Sequence, residues 1–428
     1  MAHFAVLSPP DAGHLIPLGA LGRELVRRGH RITVVSPPKA APLVRELNLP
    51  LYSLEADLHF TRWEGLLGLA FSTVGSGWVA GLRNWFRATA DVTLEHVPRI
   101  LVQLAVDGVL VDQAVPAGGT AAERCGLPFV TVCTAPPWNV DAAVPPSFTG
   151  WRYEASRRAR LRNRLGYAGW QWFIRPTLRT INRARRDGSL RPFPQMEDAY
   201  SPLAQISQLF PELDYPREAL PSCFHYVGAL AADRPCNTDG FPWERLDGRP
   251  LIYASLGTVA DPTNRAVYPR IAAACVGLDA QLVLVRGKWN EEQAGREASY
   301  DLPGNPVVVD YAPQLALLER AAVLITHAGL NTTLEGLSRG VPIVALPRSA
   351  DQPANAARVA YAGAGLCASF YKATPKELRS ILAQVLGEER FRRRARELQQ
   401  ALRAAGGAVR AAEIAEQALL TRQPVLRA

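Results

Sequence analysis

The N-terminal half of the chain alternates short apolar runs with a segment of helical periodicity. Residues 3–8 and 31–36 are apolar, and between them residues 15–29 carry leucines at every third or fourth position, as an amphipathic helix requires. Strands that alternate with helices in this way favour a parallel, doubly wound sheet, whose ligands bind at the carboxyl ends of the strands. Further strands that we expect in this sheet are residues 108–113, 128–135 and 204–210, the last being its final strand.

A second alternating series begins after a proline-rich segment. We therefore predict an α/β protein with two doubly wound, Rossmann-like sheets that face each other across a cleft. The apolar runs of the second series are residues 250–257, 280–287, 306–310, 322–326 and 342–347. The predicted division is an N-terminal domain at 1–213, a linker at 214–221, a C-terminal domain at 222–408 and a final helix at 409–428, which we expect to pack back on the N-terminal domain.

Composition disfavours several classes of protein. Of the 428 residues, 48% are hydrophobic and 20% are charged, which supports large cores rather than disorder. No uncharged apolar run reaches about 18 residues, so we expect no membrane-spanning helix, and the N-terminus does not resemble a signal peptide. The six cysteines lack disulfide-framework or metal-ligand spacing, which predicts a cytoplasmic protein with reduced thiols and no metal site.

Several polar residues surround the start of a helix predicted within residues 325–347. A helix N-terminus favours an anion, and glycine lets a ligand approach the backbone closely. A carboxylate follows about one turn further along the same helix face. The residues concerned are His327, Gly329, Asn331, Thr332 and Glu335. This arrangement predicts a nucleoside diphosphate ligand, and the alternative is an ordinary capped helix with a buried histidine.

Further motifs lie within and beside this stretch. They comprise an aromatic-x-Pro-Gln group, a Gly-x-Pro group and an Asp-Gln pair, at Tyr311, Pro313, Gln314, Gly340, Pro342, Asp351 and Gln352. Together with the helix start, residues 311–352 resemble the nucleotide-sugar signature of UDP-dependent family 1 glycosyltransferases, which have the two-domain GT-B fold. Within that family, both halves of the chain are most similar to bacterial zeaxanthin (carotenoid) glucosyltransferases.

The resemblance implies a UDP-sugar donor. Tyr311 would stack on uracil, and the backbone of Ala312 would contact the uracil edge, with Gln314 completing the motif. Glu335 would bind the ribose hydroxyls. The residues implied at the diphosphate are His327, Gly329, Asn331, Thr332, Ser255 and Thr258. The residues implied at the transferred sugar, which we expect to be glucose, are Asp351 and Gln352.

For Ser255, an equally good interpretation is a satisfied polar turn at the end of a strand. It lies in a segment, 253–258, that resembles the first strand and loop of the family's C-terminal domain.

A general base is expected in the N-terminal half. Sugar transfer requires deprotonation of the acceptor hydroxyl, for which a neutral histidine is suited near neutral pH. His14 follows the first strand and Asp112 ends a later one, so both are expected at the carboxyl edge of the sheet. The resemblance implies that His14 is the base, and an acidic partner such as Asp112 would orient it. Asp107 is predicted to be a turn residue, and His3 and His30 to be structural.

The sequence offers one candidate base and no nucleophile paired with it. We therefore predict direct displacement with inversion at the anomeric carbon. We expect no metal and no other cofactor, since the phosphate charge can be met by the helix dipole and hydrogen bonds.

The acceptor is expected to be hydrophobic. Residues 62–86 mix apolar and aromatic side chains with arginines, and residues 151–192 contain twelve arginines against two acidic residues. Leu161, Leu165 and Trp172 follow helical spacing among those arginines, a pattern typical of helices that bind anionic membrane surfaces. The alternative is a lid helix over the acceptor with a solvated basic face. We expect a cytoplasmic enzyme that attaches to the inner face of the membrane and glycosylates a hydroxylated carotenoid such as zeaxanthin.

Other functions remain open at this point. A macrolide, flavonoid or sterol would also suit a hydrophobic acceptor site. A nucleotide-sugar 2-epimerase can share the architecture, and a non-catalytic UDP-sugar binding protein would need neither His14 nor Asp112. Nucleic-acid binding is disfavoured because no recognition motif accompanies the arginines.

Overall fold

The computed structural model of the protein describes residues 1–54, 76–231, 238–257, 262–287 and 302–427. It contains two parallel β-sheets with helices on their faces, one sheet formed mainly by each half of the chain. This confirms the predicted fold class.

In the described part of the chain, the N-terminal sheet has seven parallel strands in the order β3-β2-β1-β4-β5-β6-β7. Strand β1 pairs with β2 on one side and with β4, the central strand, on the other. The carboxyl ends of β1 and β4 are therefore adjacent at the point where the chain changes winding direction, which is where ligands bind in such sheets. The strands are β1 His3–Leu7, β2 Arg31–Ser36, β3 Leu51–Ser53, β4 Gly108–Asp112, β5 Phe129–Cys133, β6 Gln205–Ser207 and β7 Phe224–Tyr226.

The N-terminal sheet ends one strand later than we expected. We predicted residues 204–210 as the last strand and residue 222 as the start of the C-terminal domain. Instead β7 pairs with β6 in parallel register, with Gln205 opposite Phe224. The boundary predicted at 222 therefore falls inside the N-terminal sheet. With only three residues, β7 is too short for its apolar pattern to identify it.

The C-terminal sheet has six parallel strands, within the described residues, in the order β10-β9-β8-β11-β12-β13. Its strands are β8 Leu251–Ser255, β9 Gln281–Val285, β10 Val307–Val309, β11 Ala321–Thr326, β12 Ile343–Ala345 and β13 Gly365–Cys367. Because helices cover both faces of each sheet, β1, β4, β5 and β8 are buried at every position. Strands buried on both faces are continuous apolar runs in the sequence, and these four strands were predicted from such runs.

The α-helices surround the two sheets. In the N-terminal half they are α1 Ala12–Arg27, α2 Ala41–Glu46, α3 Ser76–Leu104, α4 Gly118–Glu123 and α5 Arg157–Asp187. In the C-terminal half they are α6 Tyr268–Cys275, α7 Gln314–Leu318, α8 Leu330–Ser338, α9 Gln352–Tyr361, α10 Pro375–Gly387, α11 Glu389–Ala404 and α12 Gly407–Thr421. Among the described helices, none combines the length and hydropathy needed to cross a membrane.

The C-terminal helix α12 lies on the N-terminal half. Its buried residues, such as Ile414 and Leu419, belong to the same apolar core as Phe4 and Leu18. Beyond the helix, Val425 N–H donates to the backbone oxygen of Leu203 at 2.8 Å. The end of the chain thus ties the two halves together.

A buried ion cluster also joins the halves. Asp214 accepts hydrogen bonds from Arg217 Nε and Arg358 Nε, each at 2.8 Å, and from the Tyr226 hydroxyl at 2.9 Å. Burial opposes a charge on Asp214, but the two guanidinium groups outweigh it and hold the pKa of Asp214 well below its usual range. Because Arg358 lies on α9, this cluster fixes a helix of the C-terminal half against the segment predicted to be a linker.

Candidate active site

The predicted base lies where two neighbouring strands of the N-terminal sheet end. β1 leads into α1, whose first turn carries His14, and β4 ends at Asp112. His14 Nδ1 is 2.9 Å from Asp112 Oδ2. The Asp112 side chain is fully buried, whereas the His14 side chain is 27% exposed. The structure thus brings the two predicted residues together and leaves part of the imidazole accessible.

The carboxylate of Asp112 is fixed by two further donors. The Thr134 hydroxyl donates to Asp112 Oδ2 at 2.9 Å and lies 2.9 Å from His14 Nδ1. Ala114 N–H donates to Asp112 Oδ1 at 2.8 Å. With Nδ1 facing this carboxylate, the neutral imidazole carries its proton on Nδ1 and presents Nε2 as the proton acceptor.

Thr134 was missed in the sequence analysis. It directly follows β5, which pairs with the strand that carries Asp112. Its place at the end of a predicted strand beside a catalytic candidate was the signal that could have identified it.

The electrostatics of His14 favour its protonated form. Burial disfavours a charge on the ring, but the Asp112 carboxylate and its hydrogen bond outweigh burial and raise the pKa of His14 to about 9. Asp11 and Asp351 add smaller contributions in the same direction. In the free enzyme, the capacity of His14 to accept a proton therefore increases as the pH rises towards 9.

The remaining candidates in the N-terminal half make structural contacts. His3 Nε2 is 2.8 Å from Thr33 Oγ1, and Asp107 Oδ2 accepts the His3 N–H at 2.7 Å. The Nδ1 atom of His30 accepts the Ala2 N–H at 3.3 Å. These residues lie away from the carboxyl edge of the sheet, where the His14 cluster is found.

The polar helix start predicted from sequence is the N-terminus of α8. Gly329 precedes the helix, and no side chain caps it, so the first N–H groups are not consumed by a capping residue. A Cβ atom on Gly329 would lie 2.6 Å from His327 Nε2. The glycine therefore allows the imidazole of His327 to lie directly against the helix tip, and half-buried Thr332 follows in the first turn.

His327 has the opposite electrostatics from His14. Burial and the nearby Arg348 lower the pKa of His327 to about 4. Its Nδ1 atom is buried and has no hydrogen-bond partner among the described residues. His327 is therefore a neutral imidazole at physiological pH, and one ring N–H can be donated to a ligand oxygen.

The residues predicted to bind uridine are connected by hydrogen bonds. Buried Glu335 accepts a hydrogen bond from Gln314 Nε2, and Gln314 Oε1 accepts one from the Tyr253 hydroxyl at 3.2 Å. Tyr311 is 55% exposed, whereas the adjacent Ala312 is buried. Gln314 thus holds the Glu335 carboxylate in place, close to an accessible aromatic ring.

The Asp351–Gln352 pair begins α9. Asn355 Nδ2 donates to Asp351 Oδ2 at 2.8 Å and to the backbone oxygen of Ala328 at 2.9 Å. Burial raises the pKa of Asp351. Gln352 Oε1 accepts two backbone N–H groups of the preceding loop, at 2.9 and 3.2 Å. Asn355, which sequence analysis missed, connects the start of α9 to the loop before α8.

Ser255 ends β8 and is buried opposite Thr326 of β11, next to His327. This position is compatible with either a phosphate contact or a strand-end turn. Thr258 lies outside the described residues.

Asn331 makes a direct bridge between the two halves. Its Nδ2 atom donates to the backbone oxygen of Gly13 at 3.1 Å, and its Oδ1 atom accepts from Gln208 Nε2 at 3.2 Å. Gly13 immediately precedes His14. The tip of α8 and the predicted base are therefore adjacent across the cleft.

An aromatic cluster lies in the N-terminal half, which also carries His14. Trp138, four residues after Thr134, lies edge-on to Phe86 and Trp170, with ring centroids 5.9 and 5.4 Å apart. Phe148 stacks on Trp170 at 5.1 Å. The cluster lies between α3 and α5, which pack against each other.

The outer surface of α5 exposes large apolar side chains in its first half and arginines along its whole length. Leu161, Leu165 and Trp172 are 58%, 67% and 61% exposed. The same row continues with four exposed arginines, Arg175, Arg179, Arg183 and Arg186. Residues 62–75, the first part of the other predicted membrane segment, lie outside the described residues.

The two facing α/β domains, with a histidine–aspartate pair opposite an uncapped helix tip, define a two-domain glycosyltransferase of the GT-B type. Residues 179–402 match the family described as UDP-glucoronosyl and UDP-glucosyl transferase. Among solved structures, the glycotransferase of kitacinnamycin superposes with a TM-score of 0.74 at 25% identity, covering 97% of this chain and 98% of the other.

Two curated relatives match over their whole length. The chain is 37% identical to a zeaxanthin glucosyltransferase of Pantoea ananas, over 100% of this chain and 98% of the relative. It is 34% identical to a zeaxanthin glucosyltransferase of Pseudescherichia vulneris, over 99% of this chain and 100% of the relative. The chain therefore belongs to the UDP-glucoronosyl and UDP-glucosyl transferase family, and it is a UDP-glycosyltransferase. This confirms the family predicted from residues 311–352.

Proposed function

We propose that the enzyme transfers glucose from UDP-glucose to a hydroxyl group of a hydroxylated carotenoid such as zeaxanthin, with inversion at the anomeric carbon. The observation that carries this proposal is the His14–Asp112 pair facing the tip of α8, where Asn331 reaches the residue that precedes His14. A base and a diphosphate site so close together are suited to in-line attack on a nucleotide sugar.

The donor would lie along α8 and the neighbouring strand ends. Tyr311 offers an exposed ring for uracil, and the backbone of Ala312 adjoins it. Glu335, held by Gln314, would accept the ribose hydroxyls. The diphosphate would contact the uncapped helix start and the residues His327, Gly329, Asn331, Thr332, Ser255 and Thr258. The glucose hydroxyls would bind Asp351 and Gln352.

The chemical step is a single displacement. His14 Nε2 accepts the proton of the acceptor hydroxyl while its oxygen attacks the anomeric carbon of glucose. The bond from that carbon to the diphosphate oxygen breaks, and UDP departs with the electron pair. Attack opposite the leaving group inverts the configuration. Asp112 orients the ring and stabilises the imidazolium that forms.

The charge of the departing diphosphate would be met without a metal ion. The first N–H groups of α8 carry the positive end of the helix dipole, and His327 can donate a neutral N–H. Transfer that is unchanged by a strong chelator would support this part of the proposal, and loss of turnover that added magnesium restores would contradict it.

The acceptor assignment rests on the aromatic cluster and on the relatives. An apolar polyene needs an apolar site beside the base, and the aromatic cluster around Trp138, four residues of chain after Thr134, would supply its lining. Two relatives that are more than 30% identical to this chain, at 37% and 34%, are zeaxanthin glucosyltransferases. This favours a carotenoid over a macrolide, flavonoid or sterol.

We also propose that the outer row of α5 rests on the anionic inner face of the membrane. Leu161, Leu165 and Trp172 would enter the interface, and the arginines that follow would pair with acidic headgroups. α5 also packs against the aromatic cluster, so attachment here would place the acceptor channel beside the bilayer that holds a carotenoid.

Vesicle flotation tests the membrane contact. The test variant has glutamine in place of Arg175, Arg179 and Arg183. It should no longer bind vesicles with acidic lipids. The matched control changes three exposed arginines of α11, Arg392, Arg393 and Arg396, to glutamine. That helix is equally basic but exposes no large apolar side chain, so its variant should still float. Binding that is insensitive to salt and to lipid charge would contradict the proposal.

A donor and acceptor panel tests the function as a whole. Purified enzyme is incubated with UDP-glucose, UDP-glucuronic acid or a dTDP-deoxysugar, with zeaxanthin in vesicles or with macrolide, flavonoid and sterol alcohols. We expect a zeaxanthin glucoside by mass from UDP-glucose, and a product anomer opposite to that of the donor. Turnover of another acceptor class alone would overturn the carotenoid assignment, and retention of configuration would overturn the single displacement.

A further inference from the structure

Gln208 is a buried amide at the junction of the two halves. It follows β6 and is 1% exposed. Its Nε2 atom donates to the backbone oxygen of Thr134 at 3.2 Å and to Asn331 Oδ1 at 3.2 Å. Its Oε1 atom accepts the Leu230 N–H at 3.4 Å. One side chain therefore contacts both the strand end that holds the base and the helix tip opposite it.

These bonds have a defined direction. Because Leu230 supplies an N–H, the oxygen of the Gln208 amide must face it and the nitrogen must point the other way. That nitrogen then requires an acceptor on Asn331, which places Asn331 Oδ1 towards Gln208. The nitrogen of Asn331 is consequently turned towards the backbone oxygen of Gly13. The fixed backbone N–H of Leu230 thus selects the orientation of both amides.

The orientation of Asn331 matters for the donor. An Nδ2 group carries two hydrogens, and Gly13 uses one of them. The other hydrogen is left for an oxygen of the diphosphate. If the Asn331 amide were reversed, its oxygen would face both the carbonyl of Gly13 and the phosphate, and both contacts would be repulsive.

We infer that Gln208 is a positioning residue for the donor. It holds the Asn331 amide with its nitrogen towards the diphosphate and keeps the tip of α8 in register with His14. Gln208 itself does not contact the donor, because both its N–H groups and its oxygen are already bonded within the protein. This inference rests on the proposed contact of Asn331 with the diphosphate and does not depend on the acceptor.

Substitution of Gln208 tests the inference by UDP binding, measured by calorimetry. Gln208→Glu keeps the shape but removes the donors that orient Asn331, and Gln208→Met keeps the volume without polar atoms. Each should weaken UDP binding about tenfold or more, since a misoriented or unpaired polar group replaces a hydrogen bond to a charged ligand.

The matched control is Gln205→Glu. Gln205 is also buried, but it bonds Asn139 and Ser201 within the N-terminal half. The control should lose a comparable amount of thermal stability, by melting temperature, without a change in UDP affinity.

A double-mutant cycle separates positioning from general structural damage. Once Asn331 is changed to alanine, Gln208→Met should have little further effect on UDP affinity, because there is no amide left to orient. If the two losses instead multiply, or if Gln208→Met leaves UDP affinity unchanged, the inference is wrong. If Asn331→Ala itself leaves UDP affinity unchanged, the donor assignment in the proposed function fails instead.

Discussion

His14 and His327 occupy equivalent places in the two halves of the enzyme, each just beyond the end of a parallel strand and beside the first turn of a helix. Burial, taken by itself, acts to lower the pKa of both rings. Their surroundings nevertheless give them different charges at neutral pH: His14 is protonated and His327 is neutral. Beside His14 the Asp112 carboxylate raises the pKa to about 9, whereas beside His327 the Arg348 guanidinium adds to burial and lowers the pKa to about 4.

The different pKa values of the two histidines indicate which task each half carries out. A histidine paired with a carboxylate can take up a proton and remain stabilised as an imidazolium, which a general base requires. A histidine kept neutral by burial and by a nearby arginine can only donate or accept a hydrogen bond, which suits a phosphate contact. The two strand–helix junctions therefore have similar places in the fold but different functions, and the burial of each ring together with its charged neighbour decides between them.

The largest effect is expected from His14→Ala. Loss of the base should lower kcat by about 10²- to 10⁴-fold, while the Kd for UDP changes little because His14 is outside the donor site. Steady-state rates and calorimetry measure the two quantities. His30→Asn is the control, since it removes a buried histidine that contacts Phe4, the Ala2 backbone and Glu416 rather than the His14 cluster; it should cost stability and leave kcat intact. Retained turnover in His14→Ala would remove His14 from the chemistry.

Asp112→Asn should alter the pH dependence as well as the rate. In the native enzyme, kcat/KM should rise with pH, about tenfold per unit below the pKa of His14 near 9, as the imidazole loses its proton. Without the carboxylate, burial is opposed only by the smaller contributions of Asp11 and Asp351, so the pKa of His14 should fall well below 9 and the acid limb should move to lower pH.

The maximal rate of Asp112→Asn should also fall, by about 10²-fold or more, because the imidazolium is no longer stabilised. A profile with the native midpoint would mean that Asp112 does not control His14.

A smaller effect is expected from His327→Phe. This change keeps a ring over Gly329 but removes the N–H, and it should weaken UDP binding about tenfold. The loss should be the same at every pH from 6 to 9, because His327, with its pKa near 4, is neutral throughout that range. Calorimetry at several pH values provides the measurement. A loss that grows at low pH would show that His327 binds phosphate as a cation.

The smallest effect in this series is expected from Thr134→Val. The hydroxyl is one of three groups on Asp112, so its removal should reduce kcat only a few-fold and cost about 1 kcal/mol of stability. Rate and melting measurements check both. A loss as large as that of Asp112→Asn would give Thr134 a direct part in the reaction.

Much of the fold and part of the site could be predicted from sequence because they depend on local patterns. Fully buried parallel strands such as β1, β4 and β8 are continuous apolar runs, and the helix start at His327 is concentrated in a few consecutive residues. The pairing of His14 with Asp112 could be predicted because His14 follows β1 and Asp112 ends β4. These strands are neighbours, and their carboxyl ends lie at the same edge of the sheet.

The features that could not be predicted from the sequence depend on contacts between segments that are far apart in the chain. The short strand β7 is specified by its pairing with β6 rather than by its own three residues. Thr134 and Gln208 each follow a strand, but their importance comes from the partners that the fold brings to them across 120 and 123 residues of chain. The different charges of His14 and His327 likewise depend on burial and on charged residues that the fold brings to each ring.

Nuclear magnetic resonance titration of the histidine side chains tests the central comparison most directly. Signals of His14 and His327 are assigned by their loss in His14→Ala and His327→Phe, and their chemical shifts are followed in the free enzyme from pH 4 to 10. We predict that His14 titrates near pH 9 and that His327 stays neutral down to about pH 4. Titration of both rings together near 6.5 would contradict the division of tasks between them.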